Sequence, residues 1–229
     1  MDFHDKYFQE RLNSAALRSD MYNRDYNYAI KQMKKVGITG EVVIVDVGCA
    51  DGEFTRKFSG YAKIFGVEIN EKEAAKAFNN GISIIQIGDL KQVKPHVIIL
   101  RGTLQHITPA EFLTIIDFCP RMLLLLQTPN PESFVYKLLD QSQIALLNPH
   151  EDFNGNLNLI NLSEIKKLVL ERGYRVLGIS KPYFMTPYRN PIRDVYHLIV
   201  CYFNREKKYI GSWKGNIYRM TIVWDNLND

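Results

Sequence analysis

The 229-residue chain, 46% hydrophobic and 24% charged, has the composition of a protein that can close a core, which excludes disorder as its main state. Twenty-nine Lys and Arg against 25 Asp and Glu leave a formal charge of +4, too small to announce a nucleic-acid backbone as ligand without a concentrated patch. No apolar run approaches the roughly 18 residues of a membrane span.

The N-terminus offers no apolar signal segment, and Cys49, Cys119 and Cys201 are too scattered for a disulfide framework or a zinc site. A cytoplasmic chain with reduced thiols is expected. The first 36 residues predict a helix, with Tyr7, Phe8 and Leu12 and then Met21, Tyr22, Tyr26, Ala29, Ile30 and Met33 at spacings of three and four until Gly37 and Gly40. Five nearly continuous apolar runs follow: Val42–Val47, Lys63–Glu68, Ile82–Ile87, Val97–Leu100 and Met122–Gln127. Such runs suit strands buried on both faces of a parallel sheet, and the segments between them are long enough for crossover helices. Thr108, Pro109 and Glu111 together predict a helix start with a capping box.

Beyond the fifth strand the chain makes a long excursion, with a short helical stretch over Ser133–Leu139 and a polar one over Asn148–Asn156. A helix over Leu162–Arg172 closed by Gly173, a strand over Tyr174–Ile179, a helix over Ile192–Phe203 and a final strand over Ile217–Trp224 complete the pattern. The fold class is therefore α/β: a doubly wound, seven-stranded, mostly parallel sheet with helices on both faces and a helical N-terminal cap. All of it is expected to form a single domain over 1–229.

The informative stretch runs from Val42 through Asp46, Gly48 and Gly52 to Phe54, an apolar strand entering a tight turn with a helix expected after it. Glycines there let the backbone pass close to a ligand, in the crevice at the carboxyl ends of the strands. A dinucleotide fingerprint fails, because Ala50 and Glu53 stand where its second and third glycines belong.

With Asp46 two residues before Gly48 and Gly52 four after it, the stretch resembles motif I of class I S-adenosylmethionine-dependent methyltransferases. Ala50 replaces a glycine those enzymes often carry. The resemblance implies a Rossmann-like fold, S-adenosyl-L-methionine as cofactor, and a loop of Gly48, Cys49, Ala50 and Gly52 around it, organised by Asp46. Glu68, twenty residues after Gly48 and followed by Ile69, is the expected acceptor for both ribose hydroxyls. Gly88, Asp89 and Leu90 look like the adenine-side motif, and Arg101 with Gly102 falls where the family places backbone groups beside the methionine moiety. The cofactor core implied is 40–130, with 1–36 as cap and 128–160 and 181–205 as acceptor elements.

Two histidines suit a base that deprotonates the acceptor, His106 after the fourth strand and His150 in the polar excursion. No metal is expected, since Gln105-His106 stands where some quinone-pathway O-methyltransferases have a Glu-His pair. Arg101-Gly-Thr-Leu104 replaces the Asn/Asp-Pro-Pro-Tyr/Phe motif of exocyclic-amine nucleic-acid methyltransferases, so no nucleic acid is expected as partner. Looser likeness around Tyr7, Thr128, Asn148 and Glu171 is to enzymes that modify sugars, capsules and small metabolites. The expected acceptor is thus a sugar, glycan precursor or other small metabolite, methylated on oxygen, the alternative being a non-catalytic S-adenosylmethionine-binding scaffold. The basic group around Arg205, Lys208, Lys214 and Arg219 reads as a solvated face.

Overall fold

A strand that is apolar on both faces needs cover on both, and β1 (Val42–Val47) gains it near the middle of a seven-stranded sheet. The computed structural model describes residues 15–118, 121–129, 160–183 and 217–224. The other strands are β2 (Ala62–Val67), β3 (Ser83–Ile84), β4 (Val97–Arg101), β5 (Met122–Pro129), β6 (Tyr174–Tyr183) and β7 (Ile217–Trp224). Their order is β3-β2-β1-β4-β5-β7-β6, parallel from β3 to β5, with β7 antiparallel between β5 and β6. Register places Val45 beside Ile98, Ile98 beside Leu123 and Leu123 beside Ile222, a row of buried side chains across four strands.

Helices cover both faces. On one, α4 (Pro109–Ile116) brings Phe112, Ile115 and Ile116, and α5 (Leu162–Leu170) brings Leu162, Ile165 and Val169, against that row. On the other, α1 (Ala15–Lys35) lays Tyr22, Ala29 and Met33 on Ile44, Ile99, Leu124 and Val223. Among the described residues two short helices remain, α2 (Glu71–Asn79) and α3 (Leu90–Val93). The capping box of α4 forms as expected, Glu111 N–H donating to Thr108 Oγ1 at 3.2 Å and Thr108 N–H to Glu111 Oε2 at 2.7 Å. Asn161 caps α5 from Glu164 N–H at 2.8 Å, and Gly173 follows it with φ +75°.

Three expectations are corrected. No α-helix follows Gly52: the crossover from β1 to β2 holds only a 3₁₀ turn, Thr55–Phe58, before Gly60 and Tyr61 lead into the next strand. The third strand shrinks to Ser83–Ile84, because Gln86 and Asp89 close their own capping box around the 3₁₀ turn Ile87–Asp89. Arg219 is not on a solvated face but buried in an ion pair with Asp25. The first 14 residues, the helices expected over Ser133–Leu139 and Ile192–Phe203, and the excursion around His150 lie outside the described residues. Among the described residues no helix is long and apolar enough to cross a membrane.

Candidate functional site

The strand order reverses direction between β1 and β4, and the site is the crevice outside their carboxyl ends. Asp46 is buried near the end of β1, its Oδ2 accepting from Thr55 Oγ1 at 2.6 Å. Burial pushes its carboxyl pKa up to about 7, against the lowering effects of the Thr55 hydroxyl and the Arg101 charge. Glu68, half-buried just past β2, accepts from Ala50 N–H through Oε2 at 2.8 Å and from Asn70 N–H through Oε1 at 2.9 Å. One carboxylate therefore ties the turn after β1 to the turn after β2. Each of its oxygens still has capacity for another donor.

The turn itself is strained and tightly supported. Gly48 has φ +78°, Gly52 φ +71°, and Ala50 adopts φ +50° without being glycine. The space a Cβ would need is taken by protein: at Gly48 it would lie 2.4 Å from Thr103 Oγ1, and at Gly52 2.6 Å from Ile82 Cγ1. These two glycines serve close loop packing, whereas Gly102, at φ +65°, and Gly88 have open space beside them. Cys49 is buried and its thiol pKa is raised well beyond the ordinary range by burial, so it is packing.

Asp89 is partly exposed, with Oδ2 accepting from Gln86 N–H at 2.9 Å. Leu90 points into the core. Ile69 is 85% exposed beside Glu68, a large apolar side chain with nothing packed over it. Arg101 engages its side chain within the protein: its Nε donates to Asp25 Oδ2 at 3.0 Å. Asp25, fully buried on α1, also accepts from Gln127 Nε2 at 2.8 Å and from Arg219 Nε at 2.7 Å. Asp25, Thr55 and Thr103 are site-building residues that the motif reading missed. Asp25 has a visible signal, an acid on the apolar stripe between Tyr22 and Ala29.

His106 lies on the 3₁₀ turn Leu104–His106 past β4, its pKa lowered by partial desolvation, so it is neutral at pH 7. His150 lies outside the described residues. Asp46 Oδ1, Gln105 Oε1, Gln127 Oε1 and Thr128 Oγ1 are buried without a hydrogen-bond partner, all on β1, β4 and β5 or the turns at their carboxyl ends. Glu73 Oε2 on α2 and Ser180 Oγ on β6 are buried in the same way, so the orphaned atoms are not confined to this edge.

An open α/β sheet with its tight glycine turn at the switch point and an acid at the end of the second strand defines a small-molecule-binding fold of the nucleotide-cofactor class. The chain belongs to the methyltransferase-domain family, whose model matches residues 9–178. It is a methyltransferase, and S-adenosylmethionine is its methyl donor. Similar solved structures share the fold across nearly the whole chain. An S-adenosylmethionine-dependent methyltransferase from Archaeoglobus fulgidus is 15% identical over 95% of this chain and 99% of its own, with a TM-score of 0.61. A possible histamine N-methyltransferase from Thermotoga maritima is 14% identical over 97% and 98%, with a TM-score of 0.58. Magnesium protoporphyrin IX methyltransferase from Synechocystis, with bound S-adenosylhomocysteine, is 16% identical over 90% and 84%, with a TM-score of 0.55. No curated protein matches this sequence.

Proposed function

We propose that this methyltransferase acts on an oxygen of a sugar, glycan precursor or other small metabolite, holding its donor along the carboxyl edge from β2 to β4. The observation that carries the donor placement is Glu68, a carboxylate fixed by two backbone N–H groups with acceptor capacity to spare, which suits a pair of vicinal ribose hydroxyls. Asp89 and the Gly88 backbone lie one turn further on for the adenine amine and ring, and exposed Ile69 offers an apolar cover to the same ring. Gly102 gives open backbone for the methionine end, and Asp46 holds the turn of Gly48 to Gly52 through Thr55.

When bound, the donor supplies a sulfonium methyl that is already strongly electrophilic. This chain's residues then need chiefly to orient two reactants and exclude water, with a base adding about 10²-fold. His106, neutral at pH 7, can take a proton there, and His150 is the second candidate base. The small-acceptor reading is supported by Arg101-Gly-Thr-Leu104, which lacks the paired prolines of base methylation. The titration to perform is calorimetric: Glu68→Ala should weaken S-adenosylmethionine binding by about 2–3 kcal/mol, the range for hydrogen bonds to a charged group. Unchanged affinity in a folded Glu68→Ala protein would remove this placement of the donor.

A further inference from the structure

Arg101 ends β4 with its guanidinium built into a frame. Its central carbon lies 4.3 Å from the Tyr22 ring centroid and 5.1 Å from that of Phe54, and Nε is held by buried Asp25 at 3.0 Å. Such stacking and a single fixed bond leave the group little rotational freedom. Arg219 uses both Nε and Nη2 on Asp25 Oδ1, each at 2.7 Å. Arg101, by contrast, spends only Nε, and its Nη atoms carry no hydrogen bond among the described residues. Its side chain is 14% exposed, so those terminal donors are not sealed in the core.

Asp25 serves two guanidiniums, so it cannot also reach the Nη atoms of Arg101. Arg101 lowers the pKa of Asp46, but no hydrogen bond joins them and burial keeps Asp46 largely able to hold its proton. A preorganised guanidinium with two free parallel donors is a receptor for a planar anion, above all a carboxylate. β4 runs beside β1, with Asp46 paired to Ile99, so Arg101 stands next to the turn that begins at Gly48.

We infer that the Arg101 guanidinium, braced by Asp25, Tyr22 and Phe54, binds the carboxylate of the donor's methionine end. The inference rests on the placement of the donor argued above and adds a side chain, with its supporting frame, to what was expected to be a backbone contact. It makes Asp25 a positioning residue. An acceptor carboxylate would satisfy the same donors, and the experiment separates the two sources.

The full-length protein is titrated with S-adenosylhomocysteine and with 5′-methylthioadenosine, which keeps adenine, ribose and thioether but lacks the amino-acid end. Arg101→Gln should weaken S-adenosylhomocysteine by roughly 10- to 100-fold while changing methylthioadenosine by less than about threefold. Arg101→Lys, which keeps the charge but loses the fork, should fall between, and it serves alone if Arg101→Gln does not fold. Asp25→Asn should narrow the preference for the longer ligand in the same direction, a change that general loosening of the fold would not produce. Equal losses for both ligands, or undiminished S-adenosylhomocysteine affinity, would overturn the inference, the latter pointing to an acceptor carboxylate. Failure of the unmodified protein to bind either ligand would instead strike the donor placement itself.

Discussion

A carboxyl group with almost no exposure and a single hydrogen bond keeps its proton far longer than one in water, and Asp46 holds it to about pH 7 instead of 3.8. The unfolded chain releases that proton at the lower pH. Between the two values the folded state therefore binds more protons, and stability falls as pH rises through that window, by an amount on the order of 4 kcal/mol for a fully buried group. Denaturant midpoints measured from pH 4 to pH 8 should decline for the wild type and decline less for Asp46→Asn; parallel profiles would refute the assignment. Asp46 and Glu68 were legible in the sequence because an acid closing an apolar strand is rare and placed by the strand itself. Asp25 is marked only as an acid on an apolar helix stripe, and its partners Arg101, Gln127 and Arg219 are not marked at all, for they lie 76, 102 and 194 positions away and no local spacing announces them.

At the scale of elements, the turn after β1 and the turn after β4 interlock. Thr103 Oγ1 donates to Val47 C=O at 2.7 Å and fills the volume a side chain at Gly48 would need. A glycine that lets the backbone pass close to a ligand would send added bulk into the crevice. The geometry instead sends it into Thr103, so Gly48→Ala should lower stability by about 2 kcal/mol or more through clash and positive φ. Gly48→Ala combined with Thr103→Ala should cost less than the two single losses added, because the alanine at 103 removes both Oγ1 and Cγ2, the two atoms nearest the added Cβ. Strict additivity in thermal melts would show that the turns do not touch as described. Boundaries of β1 and β7 were readable because both are rich in β-branched and aromatic residues. The β3 end and the missing helix after Gly52 were not, since short-range capping by Gln86 with Asp89, and the hold of Asp46 on Thr55, decide them.

Across the whole molecule, α1 is a wall of the core and not a detachable cap, with Tyr22, Ala29 and Met33 at most 1% exposed. Deleting residues 1–36 should therefore abolish the cooperative melt and the native circular dichroism; a folded, donor-binding remnant would contradict this packing. The parallel half of the sheet was legible from its apolar runs, but the slot taken by β7 was not, because it depends on what lies either side of it. That slot governs the order in which a growing chain can finish. β6 is made before β7, yet its strand neighbour is β7, which wedges between it and β5. On the ribosome, β5 and β6 must wait with open hydrogen-bonding edges until Ile217–Trp224 emerges, the kind of edge that recruits chaperones or aggregates. Asp25 waits still longer, made early and buried for good only when Arg219, 194 positions later, reaches it. The edge where methyl transfer is proposed thus reaches its final form only after the last strand has been synthesised, and a nascent chain short of it has a nearly finished core but an unfinished site.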